Sequence, residues 1–505
     1  MRVIVQILLN KVKFIDFKIL FLSLLCRNCS CIVFWLKSLI LNSVKTIWLW
    51  LLRYVFIMKV VILQGGLEGR DTFEDYVSKT PISKLLYERA KKVLPAGVSY
   101  AIRHFEPYPF YTAKAKGCRL YDVDGNEYID FWLGHTALIL GHSPPAVVKA
   151  VKRQLEKGTH YGTAHELEIA LAEQVAKMIP TAEMIRFTNS GTEANMYAVR
   201  LARAYTGRRK IAKFEGGWHG GYDALHKAVK PPFELPESAG LTPGALEDTL
   251  VLPFNDLEGV RKRLKGIEKE VAAIIIEPVL GAGGAIPAEK EFLKGLRELC
   301  DQHGILLIVD EVITGFRLAP GGVQQFFGVK PDITVLGKIL GGGFPVGAFC
   351  GPAEIMERID HTRYQRPNHS FHGGTFTANP VTMTAGLTTL KLLEDGELIN
   401  RLNRLGDKIR QQIRDIFEAK GVDVQVTGAG SLFSVYFTRE EVKDTNAAFR
   451  SDKKKLMEYH SRLLVNGIFF LPGHYGALCT AHRRAEIEKL FLETEDFAKG
   501  LKPSS

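Results

Sequence analysis

Three short runs dominated by apolar residues recur in the middle of the chain, each closed by ionisable residues. Val271–Ile276 reads VAAIII and ends at Glu277-Pro278; residues 304–309 read GILLIV and end at Asp310-Glu311; residues 333–336 read ITVL and end at Gly337-Lys338. Runs this short and without a polar alternation predict strands buried on both faces, as in a parallel sheet. The closing acids and lysine are spaced 33 and 28 residues apart, close to the length of a βαβ unit, about 30 residues. Between the first two runs, residues 287–303 are amphipathic at helical spacing and stop at Gly304, a residue suited to the left-handed turn after a helix. Residues 144–157 and Glu166–Met178 also carry helical spacing, and residues 119–131 (RLYDVDGNEYIDF) predict a hairpin around Asp124-Gly125. After about Ala385 the pattern changes to long charged helices, apolar runs at 431–437 and 467–471, and a last helix from Arg484.

The predicted class is therefore α/β. A large domain at 144–385 holds a parallel sheet between helices. It is preceded by a segment at 58–143 and followed by a smaller α+β domain at 386–505.

Composition changes this picture mainly at the N-terminus. The net charge is +11, but residues 1–60 carry nine Lys and Arg against Asp16 alone, which supplies +8 and leaves +3 for the rest. A basic body for nucleic acid is not supported. Residues 1–57 are apolar and basic, yet the uncharged stretches between Arg27, Lys37, Lys45 and Arg53 are only nine, seven and seven residues long. A spanning helix needs about 20 apolar residues, and each Lys or Arg at mid-bilayer costs roughly 2.5–3.5 kcal/mol. The abrupt shift near Gly65 favours Met58 as the true start, with 1–57 an over-extended reading of the gene. A membrane partner is expected only if that leader is translated. Outside it, Cys118, Cys300, Cys350 and Cys479 are scattered, which fits no zinc pattern and points to a reducing, cytoplasmic setting.

Candidate chemistry gathers where the buried runs end. Glu277, Asp310 and Lys338 each stand at the carboxyl end of a predicted strand, the edge where open α/β sheets bind ligands. One acid at such a place is ordinarily a solvated strand end; three ionisable groups, one of them a lysine, imply a site. Asn189-Ser190-Gly191-Thr192-Glu193-Ala194-Asn195 follows the short strand MIRF and opens a helix over 194–205. Free amides at a helix start suit a phosphate, although Ser and Thr are also ordinary helix caps. A lysine can form an imine with an aldehyde cofactor, and an aspartate can hold a pyridine nitrogen protonated. Trp218 and His219, in the GGWHGG run after strand KIAKF, are candidates to cover a flat ring, with the flanking glycines allowing close approach. Packing is the plainer explanation for that tryptophan.

The ordered runs NSGTEANMYAVRLARAYTGR, FEGGWHGGYD, LLIVDEVITGFR, VLGKILGGGFPVGAF and GGTFTANP resemble the class III pyridoxal-phosphate aminotransferases. The likeness extends from about Lys84 to Leu490. PAGVSYAIRHF at 95–105, PESAGL at 236–241 and LCTAH at 478–482 resemble most closely, within that class, glutamate-1-semialdehyde 2,1-aminomutase and its relatives. The resemblance implies fold type I, with a mostly parallel, mixed sheet between helices in the large domain, pyridoxal 5'-phosphate and its pyridoxamine form as cofactor, and a homodimer with shared active sites. It implies Lys338 as the Schiff-base lysine and proton shuttle, Asp310 on the pyridine nitrogen and Val312 packed on the ring. Ser190, Gly191 and Thr192 would hold the phosphate, with Thr375 entering from the second subunit. Trp218 would stack where the aminomutase commonly has Tyr, Arg103 would bind the substrate carboxylate, and Ser238 would lie in a closing loop.

Two positions depart from the aminomutase pattern. Ala282 stands where Asn is usual, and His474 stands eight residues before His482, where Glu is usual. The expected reaction is glutamate 1-semialdehyde to 5-aminolevulinate, the alternative a class III transamination of a β- or ω-amino acid or an amino sugar. A nicotinamide oxidoreductase is suggested only by Gly281-Ala-Gly-Gly-Ala, and G-x-G-x-x-G fails because Ile286 occupies the last glycine position.

Overall fold

The computed structural model describes residues 72–503; the leader, with the readings made for it above, lies outside the described residues. Residues from Thr72 onward form one compact unit. In the N-terminal part, β1 (Thr112–Lys116), β2 (Arg119–Asp122) and β3 (Glu127–Asp130) make an antiparallel meander, with the Asp124-Gly125 turn between β2 and β3.

The central strands follow the apolar runs. They are β4 (Met184–Thr188), β5 (Lys210–Phe214), β6 (Thr249–Leu252) and β7 (Val271–Ile276), then a two-stranded hairpin of β8 (Val279–Leu280) and β9 (Ile286–Pro287), then β10 (Leu306–Glu311), β11 (Ile333–Gly337) and β12 (Gly347–Gly351). Seven of them form one sheet in the order β4-β12-β11-β10-β7-β5-β6. β10 runs parallel to both β7 and β11, as the apolar runs predict. β12 alone is inverted, antiparallel to β11 and β4. Every residue of β7, β10, β11 and β12 is buried, so the sheet is covered on both faces. The helix Gly191–Thr206 covers one face through Ala194, Ala198, Leu201 and Ala202.

The last part holds β13 (Gln425–Thr427), β14 (Leu432–Tyr436), β15 (Ile468–Phe469) and β16 (Gly476–Ala477) with three long helices, Glu397–Glu418, Lys453–Val465 and Arg484–Lys499. β15 adds in parallel to β3. The segments on either side of the central sheet thus share a sheet of their own.

Three sequence boundaries move. The second apolar run starts at Leu306 and extends through Glu311, so Asp310 lies inside the strand; Gly304 is the left-handed residue after the helix Lys290–His303, at φ 61°. The helix expected from 194 begins at Gly191, because Ser190 is its cap and accepts from the Glu193 amide at 3.2 Å. The Gly281-Ala-Gly-Gly-Ala run turns the β8–β9 hairpin and leads into strand β9 rather than opening a helix, which removes the dinucleotide reading on geometry.

Candidate active site

Sheet register brings the candidate groups together. Gly347 of β12 pairs with Thr188 on one side and Gly337 on the other. The loop after β4 and the lysine after β11 are therefore separated by a single inverted strand. Gly347 has no room for a side chain: a Cβ there would lie 2.1 Å from the Ser190 carbonyl oxygen.

Asp310, near the end of β10, is buried and accepts three hydrogen bonds. Its Oδ2 accepts from Asn195 Nδ2 and from His219 Nδ1, both at 2.8 Å, and its Oδ1 accepts from the Val312 amide at 3.0 Å. The Val312 side chain lies between two glycines. A Cβ on Gly191 would approach it to 3.0 Å, and one on Gly337 to 3.2 Å. Val312 is thus packed between the start of the Gly191–Thr206 helix and the strand that delivers Lys338.

Lys338 follows β11 directly, with its backbone in the left-handed region at φ 46°. Burial lowers its pKa, opposed by the charges of Asp310 and Glu277. No hydrogen bond or ion pair holds its amine among the described residues, and the amides of Gly191 and Thr192 are likewise without an acceptor there.

Glu277 has a structural task. It accepts from the Trp218 amide at 2.7 Å and from the Gly281 amide at 3.0 Å, pinning the GGWHGG loop and the β8–β9 hairpin to the end of β7. Burial and the Asp310 charge raise its pKa. Trp218 is half-buried and meets His226 edge to face at 5.4 Å. His219 presents a ring edge to Asp310 rather than a face to a ligand; burial lowers its pKa, and its Nε2 is buried without a partner.

Two of the loop glycines are required by close protein contacts. A Cβ on Gly220 would fall 2.1 Å from Thr192 Oγ1, and one on Gly216 would fall 1.8 Å from Thr445 Oγ1. The carbonyl of Gly217 accepts from Lys213 Nζ at 2.8 Å; that lysine is wholly buried, and it also donates to the Lys227 carbonyl.

Arg103 ends a short turn, Ala101–Arg103, and is exposed. Its charge and that of Lys338 both act on His135. His135 comes from a backbone feature with no counterpart in the sequence pattern. Leu133, Gly134, His135 and Thr136 all have positive φ, between 51° and 64°. Three non-glycine residues in that conformation carry strain, roughly 1–2 kcal/mol each. Surrounding contacts impose it: Asp130 Oδ1 accepts from the Trp132 and Leu133 amides at 2.8 and 2.9 Å. The buried Arg317 donates to the Thr136 carbonyl while also holding Ser431 Oγ at 3.0 Å.

Thr375 is exposed and lines a surface cleft with His160, Tyr161 and His165. Its neighbour Gly374 lies by the phosphate-type loop, since a Cβ there would be 3.3 Å from Asn189 Nδ2. Ser238 is exposed, in a loop whose Glu237 accepts from the Val229 and Lys230 amides.

The structure therefore joins Ser190, Gly191, Thr192, His219, Asp310, Val312 and Lys338 around one strand edge. Sequence reasoning missed Asn195, which stands one helical turn after Gly191 and could have been found from that spacing. It also missed Lys213 and His135, for which no periodic signal exists.

A lysine amine without a partner, an aspartate held from behind by three donors, a valine framed by glycines and a helix start with free amides suit the amine, pyridine nitrogen, ring and phosphate needs of pyridoxal phosphate. Fold and site together define a pyridoxal-phosphate-dependent enzyme of amino-group transfer. The profile of the class-III aminotransferases matches residues 100–488, and the chain belongs to that family. A protein of Methanothermobacter thermautotrophicus named glutamate-1-semialdehyde 2,1-aminomutase is 45% identical over 83% of this chain and 99% of its own length. One of the same name from Methanopyrus kandleri is 44% identical over 82% and 96%. Among solved structures, an omega-transaminase from Sphaerobacter thermophilus is 41% identical, with TM-score 0.79 over 83% of this chain and 98% of that one. A glutamate-1-semialdehyde-aminomutase from Pseudomonas aeruginosa is 26% identical, with TM-score 0.77 over 85% and 96%.

Proposed function

We propose that the protein is a glutamate-1-semialdehyde 2,1-aminomutase, moving the amino group of glutamate 1-semialdehyde to the neighbouring carbon to give 5-aminolevulinate. The observation that carries this reading is the 45% identity to a protein of that name along 99% of that protein. The cofactor, when bound, supplies an electron sink for the charge released at the substrate carbon. The chain's own residues do the rest. Lys338, favoured in its neutral form by burial, takes the proton from one carbon and returns it at the other. Asp310, held by His219, Asn195 and Val312, fixes the pyridine nitrogen. Ser190, Gly191 and Thr192 hold the phosphate on their amides and hydroxyls. Val312 and Trp218 confine the ring, and Arg103 holds the substrate carboxylate.

The partner subunit is part of this proposal. Phe371 and Phe376 are 62% and 58% exposed beside Thr375, an apolar surface suited to a second copy of the chain that receives Thr375 at its phosphate. A cytoplasmic location is proposed from the four free, buried cysteines. Among the described residues no helix is long and apolar enough to cross a membrane.

Purified enzyme given glutamate 1-semialdehyde without an amino acceptor should form 5-aminolevulinate. If none appears, the mutase reading fails. The second reading, a two-substrate transaminase of β- or ω-amino acids, is favoured by the 41% identical omega-transaminase and by Ala282, which sits exposed at the hairpin tip. It requires amino transfer to an added acceptor.

A further inference from the structure

The wall beside Arg103 is built from aromatic rings of three distant chain segments. Tyr100 stacks on His135 at 5.5 Å with the planes 24° apart, and Trp132 meets His135 at 4.9 Å. The same Trp132 meets His474 at 5.4 Å and Tyr475 at 6.1 Å. His135 is carried by the strained left-handed turn, His474 by the loop between β15 and β16. The two imidazoles are electrostatically coupled, and His135 also feels Arg103 and Lys338.

We propose that His135 and His474 set substrate choice: with Tyr100 and Trp132 they form a wall that admits a substrate carrying one carboxylate, bound by Arg103, and disfavours a second anionic group. This rests on the assignment of Arg103 to the substrate carboxylate made above. The groups acting on His135 are Arg103, Lys338 and His474, and that on His474 is Lys230; no acid is among them. Burial first, and the charges of Arg103 and Lys338 on His135 and of Lys230 on His474 second, push both imidazoles down to about 4. Glu277, near Tyr475, is occupied by two backbone amides. Around neutral pH the wall therefore adds no positive charge to that of Arg103. A second carboxylate would lose its hydration against aromatic faces that carry no charge of their own to replace it.

The test is a half-reaction, which does not depend on whether transfer is intramolecular. Enzyme carrying the pyridoxamine form of the cofactor is mixed with succinic semialdehyde, which has one carboxylate, or with 2-oxoglutarate, which has two, and cofactor absorbance is followed. The native protein should prefer succinic semialdehyde by roughly a hundredfold in rate per concentration. His135→Arg or His474→Arg should lower that ratio at least about tenfold by accelerating 2-oxoglutarate, whereas His135→Gln and His474→Gln should preserve it. Comparing ratios between variants cancels the greater intrinsic reactivity of an aldehyde. No preference in the native protein, or an unchanged ratio in both Arg variants, overturns the proposal. Should the Arg variants not take up cofactor, the Gln variants decide: acceptance of 2-oxoglutarate there as readily as of succinic semialdehyde also overturns it. Failure of acceptor-free 5-aminolevulinate formation with this selectivity intact rejects only the mutase reading.

Discussion

His219 Nδ1 lies 2.8 Å from Asp310 Oδ2, with both side chains buried. Burial lowers the pKa of His219 and the hydrogen bond and charge of Asp310 oppose that shift. Asp310→Asn removes the charge that the pyridine nitrogen needs, and kcat should fall at least about a hundredfold. His219→Gln should cost less, roughly tenfold, because Asn195 and Val312 still hold the acid. Steady-state rates at matched cofactor content check both.

Lys338 has no intrachain partner for its amine among the described residues. Lys338→Ala should therefore leave melting temperature and far-ultraviolet circular dichroism of the cofactor-free protein nearly unchanged. Turnover should drop by about ten-thousandfold or more, since both covalent capture and proton transfer lose their group. Retained turnover would remove the site assignment altogether.

Lys213 is a buried amine whose pKa is pushed down to about 7 by burial. Lys213→Met leaves the Gly217 and Lys227 carbonyls unpaired, a loss of about 2 kcal/mol, and should alter Trp218 fluorescence. The folded-state pKa lies below the ordinary 10.5. The native lysine therefore carries its charging penalty in full below about pH 7 and sheds it as pH rises toward 10. The stability advantage of native over Lys213→Met, from denaturant unfolding, should grow across that interval.

Glu311, next to Asp310, is raised to about 8 from the ordinary 4.5 by burial. Its Oε2 accepts from the Val323 amide at 2.9 Å and Thr314 Oγ1 at 3.2 Å, and its Oε1 has no partner. The contribution of the protonated acid is fully present below pH 4.5 and is lost as pH rises through 8. Glu311→Gln does not titrate. It should match native stability near pH 4.5 and exceed it by about 2–4 kcal/mol at pH 8. Denaturant unfolding at the two pH values measures this.

The cofactor end of this site was largely legible in the sequence because it depends on local pattern. Apolar runs specify buried strands, and what closes each run arrives at the strand edge, as with Glu277 and Lys338. Strand direction is not encoded that way. GAFCG at β12 is as apolar as its parallel neighbours, and its inversion follows from the short connection after Gly337, which closes β11 and β12 antiparallel. The substrate end resisted reading for a different reason. His135 and His474 both pack on Trp132, next to an uncommon backbone turn that Asp130 and the distant Arg317 stabilise. No periodicity carries such a contact. Asn195 was a middle case: inside a recognised motif, yet its bond to Asp310 depends on how the helix lies over the sheet.

The left-handed run at Leu133–Thr136 also restricts how this enzyme could be diversified. At most pocket positions a designer or a drifting lineage can exchange side chains freely and lose only contacts. At position 135 the backbone screens candidates before chemistry does: Gly, Asn, Asp and His meet that conformation at least cost, unbranched residues such as Gln and Arg at more, and β-branched residues at most. A saturation library there should return a narrow set of survivors, whereas position 474, outside any such constraint, should accept a wide one. Specificity in this pocket would then be tuned mainly from the His474 side.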